Sequence, residues 1–124
     1  MPKPKFRSKL EEQVDKRMKQ VGIRAEFEPV KIKYTYNYIP DFVFGGAYIE
    51  VKGLLSAEDM RKYHAVKESN PGIQLIFVFA APNKIVPRRK ITHAEWAEKN
   101  GFKWFSQYEM KNLKQYLDHI NRGV

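Results

Sequence analysis

Pro40-Asp41-Phe42-Val43-Phe44-Gly45-Gly46-Ala47-Tyr48-Ile49-Glu50-Val51-Lys52 is the stretch from which the rest of the chain is best read. Two runs rich in β-branched and aromatic residues flank a Gly-Gly pair, the composition of a tight hairpin with a two-residue loop. With Gly45-Gly46 as the loop the register follows: Phe44 faces Ala47, Val43 faces Tyr48, Phe42 faces Ile49 and Asp41 faces Glu50. Opposed side chains on an antiparallel pair lie about 5 Å apart at Cβ and project to one face, so two carboxylates there repel unless a positive charge joins them. Lys52, two residues beyond Glu50, projects to that same face. A divalent cation would neutralise the pair, and Mg²⁺ prefers such hard oxygen ligands while accepting phosphate oxygens as well. Asp41, Glu50 and Lys52 thus form a candidate site for phosphodiester cleavage. There a metal activates water and stabilises developing charge, and the lysine contacts the phosphate or helps position and deprotonate the water. The bland alternative is that the three merely line a solvated sheet face.

Upstream, Phe6, Leu10, Val14, Met18 and Val21 recur every three or four residues among charges, which predicts an amphipathic helix over about 8–21, ended by Gly22. From Ile23 to Tyr38, Val30, Ile32, Tyr34 and Tyr36 alternate with Lys31, Lys33 and Thr35, as a long half-buried extended segment would. Downstream, Ser56 with Glu58 and Asp59 opens a second helix that Asn70-Pro71-Gly72 stops. Ile73–Ala81 reads as a strand buried on both faces, and residues 83–91 as an exposed basic loop. Thr92 with Glu95 has capping-box spacing for a helix through Lys99, and Phe102–Phe105 is a last strand. Ser106 with Glu109 repeats the capping signal for a final helix over 107–121, whose apolar face is Leu113, Tyr116, Leu117 and Ile120. The alternation of helices and strands predicts a mixed α/β domain.

At 124 residues the chain has room for one domain, expected to span 1–124 with a flexible basic tail at 1–5. Hydrophobic residues at 43% and charged residues at 30% allow a packed interior. The longest apolar run, Leu75–Ala81, is far short of the roughly 20 residues of a membrane-spanning helix. The basic N-terminus is followed by no apolar region of a secretory signal, so a cytoplasmic location is expected. Cysteine is absent, which excludes thiolate nucleophiles and thiolate-bound zinc. The net charge of +9 points to a polyanionic partner, nucleic acid first. Candidate phosphate contacts are Lys3, Lys5, Arg7, Lys9, Arg61, Lys62, Lys84, Arg88, Arg89 and Lys90, each equally readable as a solvated surface charge. His64, His93 and His119 lack metal-binding spacing, and Trp96 and Trp104 fall in apolar, core-like patterns.

Pro40-Asp41 with Glu50-Val51-Lys52 also fits the PD…ExK pattern of a large nuclease superfamily. Phe6-Arg7-Ser8-Lys9-Leu10-Glu11, Tyr38-Ile39-Pro40-Asp41-Phe42, Ile49-Glu50-Val51-Lys52-Gly53-Leu54 and the Ile76–Phe79 strand follow in order. Together, over residues 6–105, they resemble the endonuclease I family of T-odd bacteriophages, enzymes that resolve Holliday junctions and cut branched DNA. The resemblance implies a restriction-endonuclease-like α/β core, a mixed sheet flanked by helices, in a domain-swapped homodimer whose bridge matches segment 23–38. It further implies that Asp41 and Glu50 bind Mg²⁺ or Mn²⁺, that Glu11 from the first helix of the other subunit completes the site, that the Val51 carbonyl is an additional ligand, and that Lys52 is the catalytic lysine. Ser8 and Glu11 have capping-box spacing too, a purely structural use. The C-terminal helix has no counterpart in the resemblance. Two other readings compete: a restriction- or repair-type nuclease with another DNA substrate, and a basic DNA-binding module without catalysis.

Overall fold

The computed structural model describes residues 6–28, 30–33 and 37–122. The basic tail at 1–5, with Lys3 and Lys5, lies outside them, as do positions 29 and 34–36 of the extended segment. The described chain forms α1 (Lys9–Gln20), β1 (Glu26–Phe27), β2 (Ile32–Lys33), β3 (Asn37–Tyr38), β4 (Phe42–Phe44), β5 (Ala47–Lys52), α2 (Ala57–Ser69), β6 (Gln74–Phe79), α3 (His93–Lys99), β7 (Lys103–Ser106) and α4 (Met110–Arg122).

The hairpin has the predicted register: Phe42, Val43 and Phe44 pair with Ile49, Tyr48 and Ala47. Gly45 adopts φ +59°, a conformation glycine enters without steric cost. A Cβ there would also come within 2.7 Å of the Asn121 side chain. Around this hairpin a five-stranded sheet runs in the order β1-β4-β5-β6-β7. Its β1–β4–β5 part is antiparallel and its β5–β6–β7 part parallel. The parallel steps are crossovers through α2 and α3, as parallel strands require.

The core divides by strand alternation. Ile49, Val51, Ile76 and Val78 face one cluster with Val14 and Met18 of α1 and Leu113 and Leu117 of α4. Leu75, Phe77 and Phe79 face the other, with Met60, Tyr63 and Val66 of α2 and Trp96 and Ala97 of α3. β6 is therefore buried on both faces, as its unbroken apolar run predicts. Tyr48 belongs to the second cluster, so Glu50 and Lys52 point toward α2.

Three local expectations are corrected. Segment 23–38 is not one long strand in its described part: β1 joins the main sheet, whereas β2 pairs antiparallel with β3 through Ile32–Tyr38 and Lys33–Asn37. Alternation specifies an extended backbone but not its straightness, and Val30 is 39% exposed. The last helix begins at Met110, not 107: Ser106 ends β7, and its N–H donates to the Glu109 carboxylate at 3.0 Å in the turn before the helix. Trp104 is half-buried at the rim of the second cluster, its indole N–H donating to Glu98 at 3.1 Å. Of the histidines, His93 is fully buried; its Nε2 accepts from the Leu55 N–H at 3.0 Å and its Nδ1 donates to the Lys84 carbonyl at 2.7 Å. Among the described residues no helix is long and apolar enough to cross a membrane.

Phe77 is fully buried among Tyr63, Phe79, Trp96 and Phe102. Phe77→Ala is expected to cost about 3–5 kcal/mol in urea unfolding. Tyr108, 73% exposed, should tolerate alanine within about 1 kcal/mol.

Candidate active site

The hairpin register, carried one residue past its last bonded pair, sets Asp41 opposite Glu50. Both are buried, at 1% and 5% exposure. They line one pocket of 440 Å³ with Arg7, Glu11, Tyr38, Val51, Lys52 and Lys62. The fold thus gathers all four residues singled out for catalysis, Glu11, Asp41, Glu50 and Lys52, into a single cleft within one chain.

Each carboxylate is held by named donors. Asp41 Oδ2 accepts from the Val51 N–H at 2.8 Å, and Oδ1 from the Arg7 guanidinium at 3.1 Å. Glu50 Oε1 accepts from the Tyr38 hydroxyl at 2.5 Å, and Oε2 from the Tyr63 hydroxyl at 2.9 Å. Glu11, 8% exposed, accepts from the Arg7 N–H at 2.8 Å, while the Ser8 hydroxyl accepts from the Glu11 N–H at 3.2 Å. It therefore both braces the start of α1, one residue outside a strict capping box, and lines the cleft. Lys52 Nζ donates to Asp59 Oδ1 at 3.3 Å and sits 5.6 Å above the Tyr63 ring.

Burial, then the charge of Glu50, pushes Asp41 up to about 8, against the pull of the Val51 N–H. Burial also raises Glu50, although the tyrosine hydroxyls and the charges of Lys52 and Lys62 oppose it. Burial and the Glu50 charge raise Tyr38 and Tyr63 well above their ordinary value, which keeps both as hydroxyl donors.

Among the described residues no three acid or imidazole side chains close into a ready metal cage. Arg7, Lys52 and Lys62 bring positive charge to the cleft, and the Arg7 guanidinium bridges Asp41 at 3.1 Å and Glu28 at 2.8 Å. Glu28 reaches it from a left-handed backbone, φ 47°, with its N–H donating to the Asp41 carbonyl. The donor set fits a hard divalent cation: carboxylate oxygens each retain acceptor capacity beyond one hydrogen bond, and Asp41 already holds a guanidinium cation.

The predicted phosphate contacts are divided by the fold. Arg7 and Lys62 belong to this cleft, Lys62 lying 4.9 Å over the Tyr63 ring. Arg88, Arg89 and Lys90 line a separate groove beside the start of α2, together with Lys99. Lys9, Arg61 and Lys84 are exposed in neither. Sequence reasoning missed Tyr38, Tyr63 and Asp59 as parts of the site, because only the packing of α2 and β3 on β5 brings them there.

Oxygen ligands, a lysine and an arginine in a strongly basic chain are the furnishings of a phosphoryl-transfer site. The phage endonuclease I family model matches residues 2–117, and the chain belongs to that family. It is 32% identical over 106 residues to Endonuclease I of Escherichia phage T7, covering 80% of this chain and 71% of the relative. To Endodeoxyribonuclease 1 of Enterobacteria phage T3 it is 33% identical over 103 residues, covering 77% and 68%.

Between the ordinary aspartate value and about 8, folded Asp41 keeps a proton that the unfolded chain has lost. This contribution to the stability of the metal-free protein therefore falls as pH rises through that window. A cation that binds the ionised pair acts in the opposite sense. Scanning calorimetry should show Mg²⁺ raising Tm more at pH 8 than at pH 5.5; an equal rise at both would count against proton–metal competition at Asp41.

Proposed function

We propose that the chain is a metal-dependent DNA endonuclease that resolves four-way junctions and cuts branched DNA by phosphodiester hydrolysis, acting as a homodimer. The observation that carries the reading is the convergence of Glu11, Asp41, Glu50 and Lys52 in one cleft of a chain with net charge +9. The name of the phage T3 relative, an endodeoxyribonuclease, supports DNA as the substrate.

Asp41 and Glu50 would hold Mg²⁺, or Mn²⁺, with Glu11 and the Val51 carbonyl completing the set. When bound, the ion supplies an activated water and stabilises charge on the phosphoryl oxygens. The remaining work falls to the chain's own groups. Lys52, kept near the acids by Asp59, contacts the scissile phosphate or orients and deprotonates the attacking water. Arg7 already faces Asp41 from an exposed position, its side chain 61% accessible, so it can turn toward a phosphate oxygen when the acids gain another partner. Lys62 adds charge on the same wall, and the Arg88–Lys90 groove gives the flanking backbone a second basic surface.

Resolving a four-way junction needs two cuts, which a two-fold dimer supplies. Segment 23–38 is the proposed bridge carrying α1 to the partner, so that each cleft receives Glu11 in trans. The contacts of α1 in one chain are the same contacts that such an exchange would make between two.

Asp41→Asn and Glu50→Gln are each expected to lower cleavage at least about 100-fold while retaining DNA binding, since a ligand is lost and the cleft becomes less repulsive to phosphate. The assay is nicking of a labelled four-way junction beside linear duplex of the same sequence, with and without Mg²⁺. Equal cutting of both substrates would replace junction selectivity by a restriction- or repair-type activity. Tight binding with no cutting under any metal would leave a DNA-binding module. For the shared site, inactive Glu11→Gln and Asp41→Asn chains are co-refolded. Exchange predicts recovered cleavage, because one cleft of the mixed dimer then carries neither change; clefts built within each chain predict none.

A further inference from the structure

Glu50 and Lys52 are two residues apart on β5, and the α2 residues that hold them, Tyr63 and Asp59, are four apart. Two strand residues advance about 6.6 Å and four helical residues about 6 Å, so α2 laid against this face engages both at once. Tyr63 donates to Glu50 Oε2 at 2.9 Å, and Asp59 accepts from Lys52 Nζ at 3.3 Å. Glu50 Oε1 takes its donor from a different element, the Tyr38 hydroxyl of β3.

Both tyrosines are fixed by packing. Tyr63 is fully buried, edge-on to Phe77 at 4.9 Å, and the two tyrosine rings meet edge-on at 5.9 Å. Phenylalanine would fill the same space, so the two hydroxyls do something that packing alone does not require. The terminal torsion of a glutamate is broad and stops swivelling only when both oxygens are held. Asp41 is gripped by a backbone N–H; Glu50 depends on phenols.

We propose that Tyr38 and Tyr63 are positioning residues for Glu50, and that Asp59 is the positioning residue for Lys52, so that α2 aligns the metal-binding carboxylate and the lysine as one rigid unit. The inference rests on the metal-dependent reading of the same cleft. Asp59 also closes the capping box of α2 with Ser56, which ties the first turn of the helix to the position of Lys52.

The test is calorimetric titration of the full chain with Mn²⁺ in the absence of DNA, for wild type, Tyr38→Phe, Tyr63→Phe and Asp59→Asn. Circular dichroism and Tm establish folding, and cleavage of a four-way junction is measured in parallel. Each Tyr→Phe change should weaken Mn²⁺ binding about 10- to 100-fold. Asp59→Asn, which keeps an acceptor for the cap, should leave Mn²⁺ binding unchanged and lower kcat by up to about 100-fold with KM unaltered. Folded tyrosine variants that bind Mn²⁺ as tightly as wild type would overturn the role given to the phenols. Wild-type turnover in Asp59→Asn would overturn that given to Asp59. If Tyr63→Phe does not fold, Tyr38→Phe, on the other oxygen and another element, decides the point. A wild-type chain that binds no Mn²⁺ would instead fail at the underlying reading, and the inference would go with it.

Discussion

A carboxylate taken out of water must find donors or a counter-charge, and Asp41 and Glu50 are almost wholly buried on one sheet face. Much of the surrounding structure answers that requirement. A backbone N–H and a guanidinium hold Asp41, and two phenols hold Glu50. Lys52 and Lys62 lie beyond them over the ring of Tyr63. No buried polar side-chain atom among the described residues is left without a hydrogen bond. The acids are thus fully hydrogen-bonded inside a molecule of net charge +9.

The two-layer covering of the sheet explains how this is arranged. The α1/α4 side is largely aliphatic where the helices meet the sheet, with Val14, Met18, Leu113 and Leu117 against Ile49, Ile76 and Val78, and Phe42 and Phe105 complete it. The α2/α3 side is largely aromatic, and the hydroxyls of Tyr38 and Tyr63 end at the site. An aromatic core can carry a hydroxyl to its edge without losing packing, so the same rings that bury apolar surface supply the donors for Glu50. α1 reaches the cleft from the other direction, through Glu11 and the adjoining Arg7.

The hairpin was legible because its loop chemistry and residue alternation specify register locally, and every paired residue agrees. The same holds for α1, α2 and α3, where Ser8, Ser56 and Thr92 each accept from the N–H three residues on. Segment 23–38 was legible as extended and not as folded back, since two-residue strands are specified by their partners rather than by their own pattern. The start of α4 was misplaced because Ser106 and Glu109 form a turn with the spacing of a cap.

The sequence by itself determined the two acids and the lysine of one sheet face, the basic character of the chain and the alternation of helices with strands. Those properties depend on neighbours within a few residues. Only the tertiary structure decided that Tyr38, Tyr63 and Asp59 belong to the site and that Arg7 is the cation on Asp41, whereas Arg88–Lys90 line a different groove. These partners lie 7 to 34 positions apart in the chain. Such contacts are made by packing α1, α2 and β3 onto β4 and β5, and no local periodicity encodes which side chain a buried carboxylate will meet.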